Sequence, residues 1–322
     1  LDEIKQVLAM NVHPSRIIYA HPCKQITHLK YASQVGVDLM TFDSIEELEK
    51  IKEYHSNPKL VIRVHVDDST CVFKLGKKFG VHRSDIEELL NKAREMGLDV
   101  VGVSFHVGSG SSDASCYYNA LECARYTFDL GKSIGYNFYL LDIGGGFPNF
   151  KKHGVEFEDM CGYIHKGLEK YFKDLPNIEI IAEPGQYFST GPYLLVANIT
   201  SKKTLKDGKR MYYINSSVFN STNIIYEPES LNYPQFFIKE ENEYRLLSKE
   251  VLEKHGKQFY ESKIWGPTCD STDIFCESIK LPEMTLTDWI IYPNMGSYSI
   301  VLSSNFNSFP KPKHYYAKII NF

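Results

Sequence analysis

The sequence predicts an α/β barrel followed by a separate β domain. Three observations carry this. The chain has 322 residues, more than one ordinary small domain needs. Its first 185 residues alternate apolar strand-like runs with amphipathic helical runs. Past about residue 190 the runs become short, β-rich and punctuated by Gly, Pro and Asn. The domains are therefore set at 1–190 and 191–322.

Strands are expected at residues 16–20, 38–43, 59–67, 100–108, 138–146 and 178–185. Helices are expected between them, for example at 45–54, 84–96, 114–134 and 157–172. Near-continuous apolar strands separated by helices form a parallel sheet with both faces covered. Six strands are two short of a closed (β/α)8 barrel. Residues 1–10 read as a helix that would follow a strand, so about two barrel strands are expected to precede Leu1. In the second domain, β segments are expected at 193–200, 210–214, 262–265, 289–292 and 314–319, in an antiparallel arrangement. The polar stretch 226–257 is expected to be an irregular surface excursion.

Hydrophobic residues make up 43% of the chain, enough for a sizeable core, and the net charge of −4 leaves no basic footprint for nucleic acid. Pairs such as Lys151-Lys152 read as solvated surface. The seven cysteines include no CxxC pair, which points to free thiols, a reducing compartment and a cytoplasmic location. No apolar run approaches a membrane span, and no metal-ligand pattern stands out.

Chemistry-bearing residues gather where the barrel strands end, which is where barrel enzymes place their sites. One strand runs into Phe105-His106-Val107-Gly108-Ser109-Gly110, another into Asp142-Ile143-Gly144-Gly145-Gly146-Phe147, a third into Ala182-Glu183-Pro184-Gly185-Gln186-Tyr187. Three glycines let backbone N–H groups approach an anion, or simply make a tight strand–helix turn. They lack the spaced GxGxxG of a dinucleotide fold. Taken singly, His106 fits a satisfied core histidine, Glu183 a paired buried acid and Cys269 a small buried hydrophobe.

Taken together, the motifs resemble eukaryotic ornithine decarboxylase, a pyridoxal phosphate (PLP) enzyme of the alanine-racemase-like barrel group, over nearly the whole chain. The strongest stretches are RIIYAHPCKQITHLKYASQVGVDLMTF at 16–42, DVVGVSFHVGSG at 99–110, YLLDIGGGFP at 139–148, IIAEPGQY at 180–187 and IWGPTCDSTD at 264–273, followed by NMGSY at 294–298. The resemblance implies PLP-dependent decarboxylation of L-ornithine to putrescine in polyamine synthesis. It implies that His106 stacks on the PLP ring and that Arg63 lies near it. Ser109, Gly145, Gly146, Pro184, Gly185, Gln186 and Tyr298 would surround ring and phosphate. Glu183 would face the pyridine nitrogen and keep it protonated, making the ring an electron sink. A lesser alternative is that Arg63 serves only to pair barrel carboxylates. Cys269 would protonate the substrate Cα after CO2 leaves. Asp270, with Tyr226 and Glu227, would hold the distal amine, because a buried ammonium needs a counter-charge. A homodimer with shared sites is implied, with Lys78 and Asp273 paired across its interface, although both also fit ordinary surface charge.

The sequence also departs from the family. The Schiff-base lysine is usual on an early barrel strand, in a Lys-Cys-Asn or similar tripeptide, and no such segment occurs here. Gln186 stands where an arginine usually reaches the phosphate, Glu227 replaces an aspartate, and Phe219 replaces a tyrosine. Asn215-Ser216-Ser217 replaces Asn-Asp-Gly. These changes keep two alternatives open. One is a catalytically inactive homologue of the antizyme-inhibitor type, supported by the likeness of residues 24–55 to a surface that binds an antizyme-type regulator. The other is a decarboxylase acting on lysine or arginine.

Overall fold

A computed structural model describes residues 1–149, 154–221, 234–240, 243–254 and 256–317. The chain divides into two compact units, Leu1–Gly185 and Gln186–Phe322.

The first unit is a parallel sheet with helices between its strands. The strands are β1 (Ile18–Tyr19), β2 (Leu39–Phe42), β3 (Lys59–Arg63), β5 (Asp99–Ser104), β7 (Leu140–Asp142) and β8 (Glu179–Ile181), adjacent in that order. The helices are α1 (Asp2–Ala9), α2 (Ile26–Val35), α3 (Ile45–Tyr54), α4 (Ile86–Glu95), α5 (Cys116–Ile134) and α6 (Phe157–Tyr171). Local chemistry explains their ends. Ser44 accepts the Glu47 N–H at the start of α3, Glu156 and Asp159 form a reciprocal capping box on α6, and Gly135 closes α5 in the left-handed region. In α3, Leu48 and Ile51 lie one turn apart on the buried face, each fully buried side chain contributing about 1.5–3 kcal/mol. Val61, Val101 and Leu140 form a small cluster on β3, β5 and β7, packed against Ile18, Leu39 and Ile181.

The strands are shorter than expected. Residues 105–108, 143–146 and 182–185 leave the sheet, and Gly108, Gly144 and Gly146 have the positive φ that no regular strand uses. A feature absent from the sequence reading joins this end of the sheet. β4 (Cys71–Phe73) pairs antiparallel with β6 (Ser109–Ser111), and the Cys71 thiol donates to the Val107 carbonyl at 2.8 Å.

The second unit is a seven-stranded sheet in the order β12-β11-β15-β9-β10-β13-β14. Its strands are β9 (Leu195–Thr204), β10 (Arg210–Ile214), β11 (Gln235–Glu240), β12 (Glu243–Leu247), β13 (Phe259–Trp265), β14 (Ile274–Pro282) and β15 (Trp289–Tyr292). It is mixed rather than purely antiparallel, because β10 and β13 run parallel. Two further expectations fail here. The stretch expected to be an irregular excursion supplies β11, β12 and a short helix (Lys249–Lys254), and the Phe236 and Leu252 side chains enter the core. Its apolar residues are few but bury one face, and tertiary burial outweighs composition. Residues 314–317 form no strand.

Among the described residues no helix is long and apolar enough to cross a membrane, and no cluster of His, Cys, Asp or Glu is arranged to hold a metal ion. All seven cysteines are free.

Candidate active site

Four neighbouring strands carry the site residues of the first unit to one edge of the sheet. Parallel pairing sets Arg63 opposite Ser104, Ser104 opposite Asp142 and Asp142 opposite Ile181, a single row across β3, β5, β7 and β8. Backbone hydrogen bonds continue past the strands. Phe105 N–H donates to Asp142 O at 3.1 Å, Ile143 N–H to Ile181 O at 2.9 Å, and Glu183 N–H to Gly144 O at 2.7 Å. His106 and Glu183 thus lie two residues beyond the row, on backbone still tied to its neighbours.

The glycine turn is the floor of this arrangement. A Cβ on Gly144 would strike the Phe105 carbonyl, one on Gly145 the Glu183 carbonyl and the His106 ring, and one on Gly146 the Gly108 carbonyl. Three chain segments meet where only hydrogen atoms fit. From the outside, the buried Tyr117 of α5 donates its hydroxyl to Gly145 O at 2.9 Å and stacks on Phe147. The turn is more than a generic strand–helix connection: it brings the His106 and Glu183 segments into contact.

The electrostatics are set by burial and by four charged or polar neighbours. Burial first, and then the Arg63 guanidinium, push the His106 ring down to about 4. Its Nδ1 accepts the Gly108 N–H at 3.1 Å, so at neutral pH the ring is uncharged and carries its proton on Nε2. Burial, and then the neighbouring Asp142 carboxylate, push Glu183 up to about 8, with Arg63 opposing. Burial lowers Arg63, whose charge is favoured by Glu183, Asp43 and Asp142, and which lies over the Phe79 ring at 5.1 Å. Arg63 acts electrostatically on the carboxylates Glu183 and Asp142, within the same cluster as His106.

Asp142 was not among the residues singled out from sequence. It is fully buried, accepts the Gly144 N–H at 2.9 Å and the Ser104 hydroxyl at 3.1 Å, and is hydrogen-bonded to Glu183. Its signal was its position at the head of Asp142-Ile143-Gly144-Gly145-Gly146, read earlier for its glycines alone.

In the second unit, the segment after β13 is a loop built on one carboxylate. Asp273 has no solvent exposure. Its Oδ2 accepts the Thr268 N–H at 3.1 Å and hydroxyl at 2.7 Å, and its Oδ1 accepts the Ser217 hydroxyl and the Val218 N–H at 3.0 Å each. Gly266 packs against this carboxylate so closely that any Cβ would collide with it. The loop leaves Cys269 exposed, so Cys269 is no buried hydrophobe. Asp270 turns back on the loop, its Oδ1 accepting both the N–H and the hydroxyl of Thr272 at 2.7 Å, bonds that lower its pKa.

Asp273 is therefore no surface charge. Its oxygens are committed inside the unit, and its pairing with Lys78 across an interface stays a proposal. Lys78 is exposed, beside the Phe79 ring. Tyr298 is half exposed with φ +51°. Gln186 lies in the short helix α7 (Gly185–Ser189), with Pro184 just before it, and Ser109 is on β6. Tyr226 and Glu227 lie outside the described residues. In the segment 24–55, the Lys24 side chain is buried, paired with Glu47 at 2.8 Å and donating to Thr41 O at 2.6 Å, so Lys24 is removed from any docking surface.

Known proteins resemble this chain in sequence and fold. Residues 1–190 match the family described as pyridoxal-dependent decarboxylase, pyridoxal binding domain. The chain is 41% identical over 327 residues to ornithine decarboxylase of Rattus norvegicus, covering 98% of this chain and 68% of that protein. It is 39% identical to antizyme inhibitor 2 of Xenopus laevis over 325 residues, 97% of this chain and 68% of that one. The solved structure of the Paramecium bursaria Chlorella virus arginine decarboxylase superposes with a TM-score of 0.86 at 35% identity, over 96% of this chain and 80% of that one. The matched fold, the glycine cradle and the sequence identity along almost all of its length place the chain in the ornithine decarboxylase family of pyridoxal-dependent decarboxylases.

Proposed function

We propose that the protein decarboxylates L-ornithine to putrescine and CO2, with PLP held at the ends of β3, β5, β7 and β8. The observation that carries this reading is the convergence of Arg63, His106 and Glu183 around a glycine turn with no room for a Cβ. Those residues fit PLP. An uncharged imidazole offers a face for a ring, a carboxyl group can share a proton with a pyridine nitrogen, and glycine backbone can approach a phosphate. Ser109, Gly145, Gly146, Pro184, Gly185, Gln186 and Tyr298 would complete the enclosure. Bound PLP supplies the electron sink that stabilises negative charge at Cα when CO2 departs.

The remaining work falls to side chains of the second unit. The bond from Cα to the carboxylate breaks, and the electron pair left on Cα takes a proton from the Cys269 Sγ–H. The thiolate then regains a proton from water, to which exposed Cys269 has access. Asp270, together with Tyr226 and Glu227, would anchor the distal ammonium. A homodimer would let this loop serve a second copy's site.

The test uses protein from its native N-terminus, supplied with PLP and, in parallel, L-ornithine, L-lysine or L-arginine. CO2 and putrescine from ornithine are expected, with Cys269→Ala diverting the reaction to other products. Decarboxylation confined to lysine or arginine would replace the substrate. A second reading, an inactive regulator-binding homologue, is favoured by Gln186 at a position where arginine is usual and by the likeness to antizyme inhibitor 2. PLP uptake without CO2 release from any of the three amino acids would establish it over the first.

A further inference from the structure

Asp142 is the most deeply buried charged group of the cradle, and the reaction outlined above does not use it. It touches three strand ends at once: its own, through Gly144 N–H, that of β5, through the Ser104 hydroxyl, and the Glu183 turn beyond β8. Two carboxyl groups form a hydrogen bond to each other only when one of them carries a proton. The Ser104 hydroxyl and the Gly144 N–H both donate to Asp142, which favours its ionised form and leaves the proton with Glu183. We propose that Asp142 is the positioning residue of the cradle, joining the ends of β5, β7 and β8 and holding Glu183 in its protonated form until the cofactor arrives.

The surroundings agree with this assignment. Among the described residues, Arg63 is the cation whose charge acts on both acids, and Asp43 acts on Arg63 in turn. The His106 ring is uncharged at neutral pH and the Tyr117 hydroxyl is held protonated by burial, so neither supplies a second counter-charge. One guanidinium faces two carboxyl groups, and retaining one proton balances the site. Glu183 then meets the cofactor with its proton already in place. The reading that PLP binds here is assumed in that last step only.

The experiment separates the two ideas. In the chain without cofactor, 13C NMR of labelled glutamate δ-carbons follows Glu183, assigned by its loss in Glu183→Gln. The Glu183 titration midpoint is expected at about 8 in the unaltered chain and lower by a unit or more in Asp142→Asn. PLP affinity, followed by absorbance, is expected to weaken at least tenfold in Asp142→Asn, with its pH dependence moved in the same direction. A midpoint in the ordinary carboxylate range, or one unmoved by Asp142→Asn, overturns the proposal. Should Asp142→Asn fail to fold, Glu183→Gln tests the pair from the other side: the Asp142 γ-carbon must lose the second step it shows near 8 as Glu183 ionises, and a second step that survives in Glu183→Gln overturns the proposal. Shifts as expected in a chain that takes up no PLP would leave the proton pair standing and remove the PLP reading instead.

Discussion

The two units each organise a functional segment around a buried aspartate, but in opposite ways. In the first, Asp142 lies beside another carboxyl group and a single arginine, so its burial is balanced by a shared proton. In the second, Asp273 accepts four hydrogen bonds from Thr268, Ser217 and Val218, so its burial is balanced by donors alone. A carboxylate surrounded by donors is a fixed structural post, because every lone pair it turns inward is used. One surrounded by acids and an arginine is poised to gain or lose charge. The difference matches the tasks proposed for the two segments: the 265–273 loop must hold Cys269 and Asp270 in place, and the cradle must receive a charged ligand.

The largest effect is expected at the post. Asp273→Ala leaves the Val218 and Thr268 N–H groups without their acceptor, at about 1–3 kcal/mol for each unsatisfied donor. Urea denaturation followed by the fluorescence of Trp265 and Trp289 measures it. A loss under about 1 kcal/mol would show that Asp273 is not the post described, and would restore the interface ion pair with Lys78 as its main role.

The cradle is expected to be the pH-sensitive region. His106 sits at about 4 in the folded chain against an ordinary 6.5. The unfolded chain therefore binds the extra proton first, and stability present above about pH 6.5 is lost as the pH falls toward 4. The loss is on the order of 3 kcal/mol for this group. Glu183 has the opposite sign: raised to about 8, it favours the fold at lower pH and loses that contribution as the pH rises through 8. Comparing the chain with His106→Phe between pH 7 and 4 isolates the first effect. Parallel stability curves for the two proteins would remove His106 as the source.

The smallest effect concerns a departure from the family. Ser217, where glycine is usual, adds a hydroxyl donor to Asp273. Ser217→Ala removes one of the four bonds to Asp273 and also the acceptor of the Phe219 N–H, and is expected to cost about 2 kcal/mol, leaving Cys269 exposure unchanged. Thiol-labelling rates at Cys269 measured beside thermal stability check both halves. A several-fold faster labelling rate would make Ser217 a control on the loop rather than a minor brace.

Much of this was legible beforehand because it is local. Helix α3 falls at 45–54 as its apolar spacing and Ser44 cap require, and β10 and β15 fall at 210–214 and 289–292 as their apolar runs require. The strand ends bearing His106 and Glu183 were visible as polar and glycine punctuation after apolar runs. Strand β11 was not visible, because its pairing partners β12 and β15 define it more than its own composition does. The β4–β6 pairing joins segments of three residues that carry no periodic signal.

What the sequence determined by itself was the order of elements, the family and the residue types available at each strand end, all properties of neighbours along the chain. What only the tertiary structure decided was which acids meet. Asp142 and Glu183 are brought together by the register of β7 on β8. Ser217 and Asp273 are 56 residues apart until β10 pairs with β13. A carboxylate's charge depends on what is packed against it. Packing partners distant in sequence are set by the fold, so the contrast between a proton-sharing acid and a donor-filled one could emerge only there.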